Sequence, residues 1–318
     1  MEETYLIVGA ESYVGARLAA YLLRAHEQAT VVSLCERKPS SSSADERHIM
    51  AGADFSNAAS LDRAFTSYDP RYVVNCLEFL EGERASKAAD VAARSCAQTV
   101  ALLEAACGDW AEPDGTFGEH LFVQLSRASV YGAGTQKAYE KTPMRPADAF
   151  AAAAACAELQ VWASELPAVV LRCAEVFGPK QPNSSLIGAM AKAALSAKTI
   201  TLHGDGSHCP DLLYIDDLCR GVDAALHVGK VGETYNLSVA GQLTEHEIAQ
   251  AVIAGCAAAY GDAGISDALI KEGPEAATSL RPVSVSKAMI ELGWKPETPF
   301  AQGLANAVVS YLPDPDRP

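Results

Sequence analysis

The opening run of the chain admits few folds. Tyr5-Leu6-Ile7-Val8 is apolar, Gly9 ends it, and from Tyr13 to Arg24 the residues Val14, Leu18, Tyr21 and Leu22 recur on one side of a helix. Strand, glycine turn and helix then repeat. Strands are expected at 30–34, 72–76, 120–126 and 168–172, and helices at 61–67, 85–107 and 147–165. Such alternation implies an α/β fold, a doubly wound parallel (Rossmann) sheet. After Phe177-Gly178-Pro179 it loosens, with helices at 184–196, 217–227, 244–259 and 300–310 and short strands at 199–203 and 233–237. Residues 1–178 therefore read as a Rossmann nucleotide-binding domain, to which segments of 211–240 return. Residues 179–318 read as a smaller C-terminal α/β lobe of substrate-binding type. Residues 40–43 and 110–118 read as loops and 313–318 as a tail.

Composition narrows the function classes. The 25 Lys+Arg against 40 Asp+Glu give 25 − 40 = −15, and no basic block offsets that balance. The balance argues against binding nucleic acid or an anionic membrane surface through bulk charge and leaves room only for a local basic pocket. No run approaches the roughly 18 apolar residues of a membrane span, and Met1-Glu2-Glu3-Thr4 does not read as a leader, so a cytoplasmic protein is expected. The nine Cys form no C-x-x-C pair. Buried thiols in a reducing compartment are expected rather than a zinc or redox motif.

In an open parallel sheet, ligands bind at the carboxyl ends of the strands, so the first turn is where chemistry belongs. It reads Gly9-Ala10-Glu11-Ser12-Tyr13-Val14-Gly15. Glycines there let backbone N–H groups approach a diphosphate at a helix N-terminus. Ser12 stands at the middle position where such loops usually carry Gly, and Glu11 adds a negative charge. Two glycines alone serve tight packing as readily as phosphate binding.

Further motifs follow in order. They are Ala53-Asp54-Phe55, Tyr72-Val73-Val74-Asn75, Leu102-Leu103-Glu104-Ala105-Ala106, Ser126 to Gly132 ending Val-Tyr-Gly, and Thr142-Pro143-Met144. Arg172 to Gln181, Gly204-Asp205-Gly206, Leu213-Tyr214-Ile215-Asp216-Asp217, Tyr235-Asn236-Leu237 and Leu292-Gly293-Trp294-Lys295-Pro296 complete the series. In this order the chain resembles the extended short-chain dehydrogenase/reductases, the NAD-dependent epimerases and dehydratases. Within them it is most similar to the nucleotide-sugar 4,6-dehydratases typified by dTDP-glucose 4,6-dehydratase. The likeness runs from residue 5 to about 311.

The resemblance implies NAD or NADP as cofactor, held by Gly9, Ser12, Tyr13, Val14 and Gly15 at the diphosphate and by Asp54 and Phe55 at the adenine. An acidic residue ending the second strand would take the ribose, a role that falls on Cys35 or Glu36. Glu36 favours NAD, while Arg37 and Lys38 leave a 2′-phosphate open. It also implies a homodimer through the helices at 85–107 and 147–165.

The chemistry the family needs is missing. A Tyr phenolate should accept the hydroxyl proton, and a Lys one helical turn later should lower its pKa. Thr142-Pro143-Met144-Arg145-Pro146 sets the register and places Phe150 and Ala154 at those positions. The Thr, Asp and Glu of the water-loss step become Arg127, Ala128 and Ser129. Ser126 alone reads as a structural strand end. Tyr131 and Tyr139 have Thr135 and Pro143 four residues on, so neither gains a Lys. Pro210 replaces an Arg expected at the substrate diphosphate, and Leu77 and Glu78 replace small residues beside the cofactor.

Other candidates read as structural. Asp216-Asp217 fit helix capping. His203, His208 and Cys209 lack a fourth ligand for zinc, and Cys96 lacks a base, so no metal site is expected. The sequence thus predicts a catalytically degenerate dehydratase/epimerase-like protein. It would be a non-catalytic structural or regulatory subunit, a homodimer or part of a larger assembly, with at most residual NAD(P) binding. The alternative is an active NAD-dependent nucleotide-sugar 4,6-dehydratase, epimerase or reductase with a relocated base.

Overall fold

Hydrogen bonding between β1 (Thr4–Val8), β2 (Thr30–Cys35) and β4 (Tyr72–Asn75) sets the parallel register, with Leu6 beside both Val32 and Val73. The computed structural model describes residues 3–37, 43–77, 88–183, 185–239, 243–261, 264–274 and 280–311. With β3 (His48–Gly52), β5 (Leu121–Arg127), β6 (Ala168–Cys173) and β10 (Thr234–Leu237), these strands form a seven-stranded sheet in the order β10-β6-β5-β4-β1-β2-β3. Each pairing in it is parallel. The order reverses between β1 and β4, so the crevice for a ligand opens at their carboxyl ends, at Gly9 and Leu77.

Both faces of the sheet are covered, which is why its strands read as continuous apolar runs rather than alternating ones. Tyr5 and Ile7 point into one core cluster and Leu6 and Val8 into the other. Against the first face pack α1 (Tyr13–Ala25) and α6 (Ile215–Val228), which also touch each other. Against the second lie α2 (Ala58–Tyr68), α3 (Ala88–Trp110) and α4 (Ala149–Ala163), packed in series. The fold is a Rossmann-like α/β fold.

The C-terminal part packs α7 (Glu245–Tyr260) between α5 (Leu186–Leu195) and α9 (Phe300–Val309). Two small parallel pairs flank it, β7 (Glu175–Phe177) with β9 (Leu212–Tyr214) and β8 (Ile200–Thr201) with β11 (Ile270–Lys271). β10 leaves this part to become the edge strand of the main sheet, with α8 (Ser286–Glu291) beside it.

Several expectations need correcting. The helix expected to end at 107 continues to Trp110, which the sequence placed in a loop. The buried indole donates to the Pro70 carbonyl at 3.1 Å and meets Phe65 edge-on, which anchors one more turn. The strand at 199–203 is only Ile200–Thr201, because β11, its partner among the described residues, is equally short. Lys38, residues 40–42, Glu78, residues 85–87, residue 184 and the tail 313–318 lie outside the described residues. No helix among the described residues is long and apolar enough to cross a membrane.

Candidate nucleotide and catalytic site

The turn after β1 has the shape a diphosphate needs. Gly9 sits at φ +75°, a left-handed conformation that costs glycine little. A Cβ on Gly15 would fall 2.6 Å from the Gly9 carbonyl oxygen, so only glycine allows helix and turn to close. Its donors, however, are partly consumed from within. Ser12 is the N-cap of α1, and its hydroxyl accepts the Gly15 N–H at 2.9 Å. Glu11 reaches across to the end of β2, where its carboxylate accepts the Glu36 N–H at 2.7 Å. Burial and this carboxylate push the Cys35 thiol up to about 12. Val14 is buried in the core, while Tyr13 is half-buried with a hydroxyl enclosed against Gly178.

On the adenosine side Glu36 is half-buried at the β2 end and ion-paired with Arg94 of α3 at 2.5 Å. Asp54 is exposed after β3. One carboxylate oxygen accepts the Ser56 N–H at 2.9 Å in a local turn. The Phe55 side chain is fully buried among Leu6, Val8 and Leu61, so only its main chain is available to a nucleotide. Leu77 turns into the same core rather than into the crevice. The residues present fit the turn and adenine edge of a nicotinamide nucleotide in outline. They do not fit its reactive end.

Of the two residues expected at that end, Phe150 lies in the first turn of α4, exposed, and Ala154 lies one turn on, fully buried. Ala154 packs with Val130, Tyr131, Ala138, Ala155 and Val283 in a small apolar cluster. Nothing ionisable occupies either position. Arg127 ends β5 opposite Cys173, and Ala128 and Ser129 start the short 3-10 helix Ala128–Tyr131.

Beneath them lies a buried polar chain that the motifs did not announce. Ser126 donates to Glu158 at 2.5 Å, and Glu158 receives Arg172 through Nε and Nη2 at 3.0 and 2.6 Å. Arg172 donates to the Tyr131 hydroxyl at 2.8 Å and stacks on its ring, and Tyr131 donates to Asn236 at 2.8 Å. Burial opposes the charge on Arg172, but its bonds to Glu158 outweigh that and raise its pKa. Tyr131 is fully enclosed, and burial raises its pKa against the pull of Arg172. This chain ties β5, β6, α4 and β10 together. Glu158 was legible only as a helix residue, because a charge eight residues after Phe150 looks solvated until the sheet buries it.

The remaining candidates separate. Asp217 does not cap α6. Its buried carboxylate accepts the N–H groups of Glu297 and Thr298 at 3.2 and 3.1 Å and pairs with Arg220, because the 294–298 segment folds over the helix start. Asp216 pairs with Arg17. Asp211, after Pro210, accepts from Ser238 at 2.5 Å. A groove of about 480 Å³ lined by Tyr21, His26, Arg220, Asp223, His227 and Trp294 lies at the amino ends of the strands, opposite the crevice.

The family profile described as NAD dependent epimerase/dehydratase family matches residues 5–238. The dTDP-glucose 4,6-dehydratase of Xanthomonas campestris pv. campestris is 29% identical over 280 residues, covering 83% of this chain and 79% of that protein. The dTDP-glucose 4,6-dehydratase of Neisseria gonorrhoeae is 27% identical over 342 residues, covering 99% and 97%. The solved structure of DesIV, a dTDP-glucose 4,6-dehydratase from Streptomyces venezuelae with NAD and TYD bound, superposes with a TM-score of 0.82 at 24% identity over 97% of this chain and 96% of that one. UDP-glucuronic acid 4-epimerase from Bacillus cereus, in complex with UDP-glucuronic acid and NAD, gives 0.80 at 23% identity, covering 96% and 98%.

Proposed function

Because the chain belongs to the NAD dependent epimerase/dehydratase family, we propose that it keeps that fold without the proton chemistry and serves as a non-catalytic structural or regulatory subunit. The observation that carries this reading is Ala154. A lysine there would need a path to the crevice, yet the position is fully buried in an apolar cluster that includes Val130 and Val283. Phe150 supplies no base in its place. Tyr131 offers no substitute either, since its hydroxyl is enclosed between Arg172 and Asn236.

Residual nucleotide binding belongs to the same proposal, limited to Gly9, Gly15, Asp54 and the Phe55 main chain. Glu11 and the Glu36–Arg94 pair oppose it. The test is direct. Purified full-length chain with NAD and dTDP-glucose should give no dehydration of the sugar, and turnover by the wild-type chain would overturn the reading. A thermal shift with millimolar-range NAD tests the residual site separately, and an unmoved melting curve removes it.

A further inference from the structure

Three donors from two separated segments converge beside the start of α7. Glu245 is the first residue of that helix and is buried, and the loop 203–208 curls over it. His203 Nδ1 lies 2.8 Å from Glu245 Oε1, and His208 Nδ1 lies 3.5 Å from Oε2, with the ligand atoms all within 4.8 Å of one another. Donors about 2.0–2.2 Å from a tetrahedral zinc ion stand roughly 3.3 Å apart, so both separations are close to what a shared ion requires. The rings stand nearly perpendicular at 87°, which lets their lone pairs converge. His208 Nδ1 is itself buried and has no hydrogen-bond partner among the described residues, with Glu245 Oε2 standing 3.5 Å away.

We infer that His203, His208 and Glu245 form a binding site for a divalent transition metal, zinc by its donor set, that clamps the 203–208 loop to α7. Two imidazoles and one carboxylate leave a fourth position for solvent, on the side where the His203 side chain is 59% exposed. Binding replaces the proton shared by His203 Nδ1 and Glu245 with the metal, and that proton leaves to solvent. The loop keeps its hold on the helix meanwhile, because the His203 N–H donates to Glu245 Oε2 at 2.8 Å and the Glu245 N–H to the His208 carbonyl at 2.9 Å.

A second cluster, Glu3, His26 and His227, is a worse site. Its two rings are stacked 5.0 Å apart at 23°, so their lone pairs run side by side. Asp223 also holds His227 in its charged form, which has no lone pair to give.

The test uses the full-length chain without a histidine tag, titrated with CoCl2 while visible d–d absorption is followed and with ZnCl2 against a chromophoric chelator. One equivalent of each metal should bind per chain. His203→Ala and His208→Ala should each weaken binding by more than about tenfold, and Glu245→Gln should do the same. Far-UV circular dichroism checks that each variant is folded; His203 is exposed enough that its removal leaves packing intact. A His26→Ala/His227→Ala control should bind as the wild type does. Absence of saturable binding, binding that survives His203→Ala/His208→Ala, or loss confined to the His26→Ala/His227→Ala control would each overturn the assignment.

Discussion

At Glu158 one carboxylate, fully buried, holds both the hydroxyl at the end of β5 and the guanidinium of Arg172. Replacing it with Ala would leave Arg172 charged and unpaired in the core. The expected loss is about 3–5 kcal/mol of stability, read from urea unfolding, and a loss below 1 kcal/mol would show that the pair does not hold the sheet to α4. Glu11 makes the opposite argument. Its carboxylate lies on the surface at the β2 end, where a nucleotide's phosphates would bring like charge. Glu11→Ala should therefore raise NAD affinity by about 1 kcal/mol, roughly fivefold by calorimetry. An unchanged or weakened affinity would mean that Glu11 does not guard the turn.

At the level of elements, α1, α6 and β1 meet around Asp223, His26, His227, Tyr5 and Glu3. The hydrogen bond to Asp223 raises His227 to about 9 against the pull of burial, and Glu3 adds to the rise. Burial alone would raise the Asp223 carboxyl, but its bonds to His227 and His26 outweigh that and lower it. A folded pKa above the ordinary 6.5 favours the charged imidazole in the native state. The stabilisation is therefore complete below about pH 6.5 and disappears as pH rises through about 9. Denaturant midpoints measured across that window should fall with rising pH in the wild type and lose most of that slope in Asp223→Asn. An equal slope in both would place the titration elsewhere.

For the whole molecule, the question is what covers α4. Ala151, Ala154 and Ala157 face inward, yet Leu159 is 58% exposed, and nearby Trp162 is exposed with it. A helix apolar on both sides is normally buried on both. A second copy of the chain docked on this outer face would bury both side chains. Leu159→Glu/Trp162→Glu should halve the mass measured by light scattering while leaving the circular dichroism unchanged; a wild-type monomer would refute it.

The Rossmann architecture was legible in residues 5–24 because apolar period and glycine position are local properties of the chain. The expectation that Phe150 and Ala154 stand where the family has Tyr and Lys came from the same local source, the Thr142-Pro143-Met144 lead-in to α4. What sequence could not give was juxtaposition. Glu158 belonged to no motif, and it is the packing of α4 on β5 and β6 that buries it. Asp217 looked like a cap until the 294–298 segment closed over it, and Glu245 stands 42 residues from His203. Side-chain type and spacing are written in one dimension. Partnership depends on which distant segments the sheet brings within 3 Å or so of each other, and only the tertiary structure decides that.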